Sequence, residues 1–152
     1  MRIKAPSSAG KESAVRLPCA CANLRRAARL ATQMYDEALR PSGLRSTQFT
    51  LLQALNIAPS ISQKQLGEVL GLDSTTLTRT LARLRRKGWV RSQPGADRRE
   101  LQISLSVAGQ REFQRVLPFW TSAQKRLRRA LGAHWNAVID AAVRIAEVGN
   151  QA

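Results

Sequence analysis

Residues 62–91 read Ser62-Gln-Lys-Gln-Leu-Gly-Glu-Val-Leu-Gly-Leu-Asp-Ser-Thr-Thr-Leu-Thr-Arg-Thr-Leu-Ala-Arg-Leu-Arg-Arg-Lys-Gly-Trp-Val-Arg91, and the fold is decided there. Ser62 and Gln65 form a capping-box pattern, in which each side chain satisfies the other residue's backbone N–H. It opens a short helix through Leu66, Val69 and Leu70, which Gly71 ends. Asp73 is a good N-cap for a second helix running through Thr75, Leu77, Leu81 and Leu84 to Gly88. The period then changes to two. Val90, then Leu101, Ile103 and Leu105, alternate with polar residues around the turn Pro94-Gly95-Ala96-Asp97. Two short helices joined by a Gly-containing turn and followed by a two-stranded hairpin make a winged helix-turn-helix.

The second helix of the pair divides cleanly. At about 100° per residue, Leu81 and Leu84 fall within roughly 40° of Leu77, and Thr75, Arg79, Ala82 and Arg86 land opposite. Thr76 and Arg83 lie next to that opposite side. The outer face thus offers hydroxyls, a methyl and three Arg, a set suited to the major groove: Arg for guanine O6 and N7, hydroxyls for either base, the methyl against thymine. The hydroxyls of Ser74, Thr75, Thr76 and Thr78 and the guanidiniums of Arg79, Arg83 and Arg86 are the candidate DNA contacts on this helix. Between Asp73 and Arg99 eight bases face two acids, a surplus of six. Arg-rich runs are most often solvated helix faces, but here the Leu/Arg segregation, the turn and the basic wing coincide. At the wing tip, Arg98 and Arg99 stand on a projecting loop, where an Arg can enter a narrow, strongly negative minor groove. Asp97 either orients a neighbouring Arg by a salt bridge or makes the turn.

Outward from this lobe the chain is helical. A helix is expected from Cys19 to Leu39, broken by Pro41 and Gly43, and another from Ser46 to about Ile57, closed by Pro59. After Ser106 a helix runs to about Leu131 with a kink expected at Pro118, and Gly132 separates a last amphipathic helix carrying Trp135, Val138, Ile139, Ala142 and Ile145. The order is α-α-α-α-β-β-α-α: a mainly α domain over residues 18–149, with the winged-helix lobe at about 46–105. Residues 1–17 read as a flexible basic tail.

The 152 residues carry 25 Lys+Arg against 10 Asp+Glu, a net charge of +15. Twenty of the bases are Arg, whose planar fork matches phosphates and guanine edges. Such a field suits a polyanionic partner, most simply nucleic acid. No apolar run is long enough to span a membrane, and the polar N-terminal stretch lacks the apolar region of a secretory signal. Two Cys make no disulfide framework, so a reducing cytoplasm is the expected compartment. No dinucleotide or phosphate loop, Ser/His/Asp set or metal-ligand pair is present in the sequence, so neither enzyme activity nor a cofactor is expected.

The sequence resembles the MarR family of bacterial winged-helix transcription regulators. The resemblance rests on Ser62–Leu72, Leu77-Thr-Arg-Thr-Leu-Ala-Arg-Leu84, Lys87-Gly-Trp-Val-Arg91 and, most specifically, the wing signature Asp97-Arg98-Arg99 followed by Leu105-Ser106-x-x-Gly109. Ser106 stands where the family has Thr and keeps a capping hydroxyl. The resemblance spans about 19–148 and implies a homodimeric repressor on a pseudo-palindromic operator of double-stranded DNA. Residues 19–39 and 106–148 are then the dimerisation helices, Arg99 the minor-groove Arg and Arg98 a backbone contact. It further implies release from DNA by a small anionic or aromatic effector or by cysteine oxidation.

Cys19 and Cys21 fall at the start of the first helix, just before Arg25 and Arg26, a setting that favours reactive thiolate. They are candidate redox residues, better spaced for an intersubunit pair than for an intrachain bridge; the alternative is two small inert residues under a dimer interface. Tyr35, Phe119, Trp120 and Trp135 are either effector-pocket residues or core and interface aromatics. His134 reads as a surface histidine with no zinc partners, and Lys125–Arg129 as a solvated helix end rather than a membrane anchor. The rival function is a basic architectural or RNA-binding protein without sequence specificity.

Overall fold

Gly71 adopts a left-handed backbone, φ 60°, so the chain reverses there without the Cβ penalty another residue would meet. Around that turn the computed structural model builds the helix pair expected from the sequence. It describes residues 17–95 and 100–150; the expected tail lies outside it apart from Leu17, as do Asp97, Arg98 and Arg99.

The elements are α1 (Ala20–Leu39), α2 (Ser46–Ile57), β1 (Ile61–Ser62), α3 (Gln63–Leu70), α4 (Ser74–Arg86), β2 (Val90–Pro94), β3 (Leu101–Leu105), α5 (Val107–Leu131) and α6 (Trp135–Asn150). Single 3₁₀ turns follow α1 and α5. The capping box closes α3: the Ser62 hydroxyl accepts from Gln65 N–H at 3.2 Å, and the Gln65 amide oxygen accepts from Ser62 N–H at 3.2 Å. Leu72 N–H donates to the Gly67 carbonyl at 2.9 Å, completing the end of α3. β2 and β3 form the hairpin, with Val90 opposite Leu105 and Ser92 opposite Ile103. β1, not expected from the sequence, adds a third antiparallel strand, Ile61 opposite Ile103, in the order β1-β3-β2. α5 runs as one helix through Pro118, the position of the expected kink. The proline removes one donor from the ladder, and its neighbours hold the helical path on the core.

The core is one cluster. Leu77, Leu81 and Leu84 of α4 meet Leu66 of α3, Phe49, Leu52 and Leu55 of α2, Ile103 of β3, and Phe113 and Val116 of α5. Phe49 and Phe113 stack with ring centroids 5.4 Å apart. α2 starts without a good cap of its own, because Arg45 occupies the N-cap position. Asp36 of α1 supplies the acceptor: its carboxylate takes Ser46 N–H at 2.6 Å and the Arg45 guanidinium at 3.1 Å. Burial alone raises the Asp36 carboxyl, but the hydrogen bonds from Ser46 and the Arg45 charge outweigh it and hold the group below the usual carboxylate range. A depressed folded-state pKa gives stability that is present above the unfolded value and lost as pH falls through the folded one, so the window lies below about pH 4. Asp36→Ala is expected to lose about 1–2 kcal/mol at pH 7, a typical capping loss, and to show a smaller further drop on acidification than the native chain. Denaturant midpoints at neutral pH and near pH 3.5 measure both; equal acid sensitivity in the two proteins would rule the assignment out.

Candidate nucleic-acid interface

The same leucines that anchor α4 determine what it shows to solvent. Leu77, Leu81 and Leu84 are 1%, 0% and 0% exposed, so Thr75, Arg79, Arg83 and Arg86 are turned outward, and all four are exposed. Ala82, between them, is half-buried. Ser74, Thr76 and Thr78 are also exposed. The first turn is held by Asp73, which accepts from Thr76 N–H at 2.9 Å and from the Thr76 hydroxyl at 2.6 Å. These two bonds hold the Asp73 carboxyl below its ordinary range. They also fix the Thr76 hydroxyl hydrogen on the cap, leaving that oxygen as an acceptor.

Gln63, which the sequence reading did not single out, donates from Nε2 to Thr78 Oγ1 at 3.0 Å and ties α3 to the exposed side of α4. Its partner is 15 residues away, so no local pattern announces it; its place in the first turn of α3 is the nearest signal. Arg79, Arg83 and Arg86 take no part in the ion pairs of the described residues, which are Arg45–Asp36 and Arg115–Glu112. Their forks are therefore available for phosphates or base edges. Arg85 is half-buried, and Lys87 lies 4.3 Å above the Trp89 ring, where the helix hands over to β2.

The wing is fastened to α4 from below. Ser106 N–H donates to the Trp89 carbonyl at 2.9 Å, and its hydroxyl donates to the Gly88 carbonyl at 2.5 Å and accepts from Gly109 N–H at 2.9 Å. One serine thus caps α5 and fixes where the hairpin leaves α4. Arg91 points outward from β2. The tip, with Asp97, Arg98 and Arg99, falls outside the described residues.

Cys19 occupies the N-cap position of α1, and both cysteines are exposed free thiols. Arg25 Nη2 lies 3.5 Å from Cys21 Sγ. Of the four aromatics, Tyr35 and Trp120 line a cleft of ≈ 530 Å³ walled by α1, α2, α4 and α5. Phe119 packs on the core and Trp135 sits under Arg128. His134 is exposed in the turn after α5. Among the described residues no group of His, Cys, Asp and Glu gathers as a metal site, and no helix is long and apolar enough to cross a membrane.

A family model described as "MarR family" matches residues 42–100. The chain is 31% identical over 93 residues to the uncharacterized HTH-type transcriptional regulator YwoH of Bacillus subtilis, covering 61% of this chain and 68% of that protein. The crystal structure of the M. tuberculosis transcriptional regulator MosR in complex with DNA superposes with a TM-score of 0.78 and 37% identity, over 88% of this chain and 97% of MosR. A mutant of E. coli MarR complexed with operator DNA gives 0.72 and 25%, over 82% and 90%. Identity at this level over nearly all of MosR, together with the family-model match, means that the chain belongs to the MarR family of winged-helix transcriptional regulators.

Proposed function

We propose that this regulator is a homodimeric, cytoplasmic repressor that binds a pseudo-palindromic operator in double-stranded DNA through α4 and the wing and is released by an effector or by oxidation. The observation that carries the reading is the split of α4 into a buried leucine face and an exposed face of hydroxyls and unpaired Arg. The regulators MosR and MarR, with this fold, have been solved on DNA. The test is a fluorescence-anisotropy titration of the chain's own upstream DNA against a scrambled duplex at about 0.15 M salt, where screening is near physiological. A preference of roughly 10³-fold or more is expected. Equal binding to both would favour the architectural alternative.

Arg79→Ala or Arg83→Ala is expected to cost about 1–3 kcal/mol on the operator and much less on the scrambled duplex, since a base contact carries sequence information and a phosphate contact does not. Equal losses on the two DNAs would reassign both residues to the backbone.

Support for the dimer comes from apolar side chains the protomer leaves uncovered: Leu24 and Leu30 on α1, and Val138, Ile139, Val143 and Ile145 on α6, each more than 40% exposed. Support for a redox release comes from the exposed thiols beside Arg25. The step is two thiols and one hydrogen peroxide giving one disulfide and two waters, with Cys19 and Cys21 linked between subunits. Peroxide is expected to lower operator affinity at least about tenfold and to produce a reducible covalent dimer, neither in a Cys19→Ser, Cys21→Ser variant. Free thiols and unchanged affinity after treatment would exclude it. Support for an effector comes from the ≈ 530 Å³ cleft, a size in the usual range for small-molecule sites, whose wall includes Thr76 and Thr80 of α4.

A further inference from the structure

We infer that Gln63, a residue of α3, is a positioning residue for the exposed face of α4: it holds Thr78 Oγ1 as an acceptor, so that the Thr78 hydroxyl meets DNA as a donor. The inference rests on the operator reading above and specifies how one side chain of that face recognises its target. Gln63 Nε2 donates to Thr78 Oγ1 at 3.0 Å. A threonine inside a helix commonly donates its proton to the carbonyl four residues back. Thr32, Thr80 and Thr121 all do so, at 2.8 or 2.9 Å. Thr78 does not: among the described residues its hydroxyl makes only the bond it accepts from Gln63.

A hydroxyl has one proton and two lone pairs. With a lone pair of Thr78 taken from the α3 side, its proton is left to point into solvent, where Thr78 is exposed. Thr76, two residues earlier and therefore on the other flank of the face, has the reverse arrangement: its proton goes to Asp73 at 2.6 Å and its oxygen is left to accept. The two threonines thus present opposite polarities to whatever lies against α4. A donor at Thr78 suits the acceptors that DNA offers, phosphate oxygens, guanine O6 and N7, adenine N7 and thymine O4, and not the amino groups of cytosine and adenine.

The packing of α3 on α4 keeps this bond in place. Gln63 is half-buried at the first position of α3, where the Ser62/Gln65 capping box fixes the backbone. One turn on, Gly67 lies on the same face of α3, and its missing side chain lets α4 approach. A Cβ built there would stand 3.2 Å from the Leu72 carbonyl oxygen and 3.4 Å from Leu77 Cδ2. Leu77, 1% exposed, seats against that gap, and the next residue, Thr78, comes within reach of Gln63.

A double-mutant cycle in the full chain tests the inference, on a duplex that the native chain selects from a randomised library, with fluorescence anisotropy at about 0.15 M salt. Gln63→Ala and Thr78→Val are each expected to weaken binding about three- to tenfold, the worth of one neutral hydrogen bond. The double variant is expected to bind no worse than Thr78→Val alone, since Gln63 acts only through the hydroxyl. Thr78→Ser, which keeps that hydroxyl, is expected to bind as the native chain does and to stay sensitive to Gln63→Ala. Both side chains lie outside the core cluster, so all these variants are expected to melt with the native chain. A loss confined to the selected duplex would place the acceptor on a base edge, and an equal loss on a scrambled duplex would place it on a phosphate oxygen. A Gln63→Ala loss of the same size in the Thr78→Val background would mean that Gln63 touches DNA itself. Native affinity in Thr78→Val would mean that the hydroxyl donates to nothing on DNA. Either result would overturn the inference and leave the operator reading standing, whereas a native chain that selects no sequence would remove both.

Discussion

Replacing Leu81 with aspartate is expected to abolish the cooperative melting transition of the native chain. Leu81 is 0% exposed and sits one turn from Leu77 and Leu84, against a cluster that also holds Leu66, Phe49 and Ile103. Removing a buried leucine's apolar contacts costs about 2–5 kcal/mol. Placing a carboxylate there adds several kcal/mol more, because none of the cluster's side chains can pair with it. The sum is comparable to the roughly 5–15 kcal/mol that holds a typical domain together. The group cannot escape by a rotamer change, since the neighbouring positions on that face of α4 are themselves core leucines. Circular dichroism against temperature is the measurement, with Leu81→Met as the volume-conserving control expected to lose less than about 1.5 kcal/mol. A native-like melt for Leu81→Asp would mean that the buried and exposed sides of α4 had been exchanged, and the proposed role of Arg79, Arg83 and Arg86 would go with it.

That dependence explains why the two faces of α4 were legible from sequence. The leucine spacing, the Asp73 cap and the Ser62/Gln65 box are local signals, and each appears in the structure at the residues that carry it. The ends of α2, α3 and α5 were likewise readable from Ser46, Gly71 and Leu131. What escaped was tertiary. β1 has two residues, too few to display an alternation, and exists because Ile61 and Ser62 find β3 across the lobe. Asp36 carries no local capping signal, because its role as the cap of α2 depends on the two helices meeting. The poor N-cap residue Arg45 was the available hint that an acceptor had to come from elsewhere. Pro118 lies inside α5, and the packing of Val116, Leu117 and Phe119 against the core accompanies a helix that continues on both sides of it. The four aromatics could not be sorted by spacing, because whether a ring faces a cleft or a core depends on the neighbouring helices.

The junction between α4, the wing and α5 leads to the other large effect: Gly109→Ala is expected to destabilise the protein by about 3 kcal/mol or more, at or above the upper end of the usual cost of overpacking. A Cβ built on Gly109 would lie 2.0 Å from the Trp89 carbonyl oxygen and 2.8 Å from its carbonyl carbon. Both obstacles are backbone, so no side chain can swing aside. The first turn of α5 must retreat, and its retreat breaks the 2.9 Å bond from Ser106 N–H to Trp89 and strains the Ser106 hydroxyl's bonds to Gly88 and Gly109. Those contacts set where the hairpin leaves α4, so operator affinity is expected to fall in the fraction that stays folded. For a chain of this size the melting temperature is expected to drop by roughly 10 °C or more. Gly149→Ala on α6 is the control: nothing lies within 4 Å of its Cβ, and alanine favours the helix. If the two alanine variants melted together at the native temperature, α5 would have to pass Trp89 at a greater distance than this packing requires, and Ser106 could not be the residue that holds the wing in place.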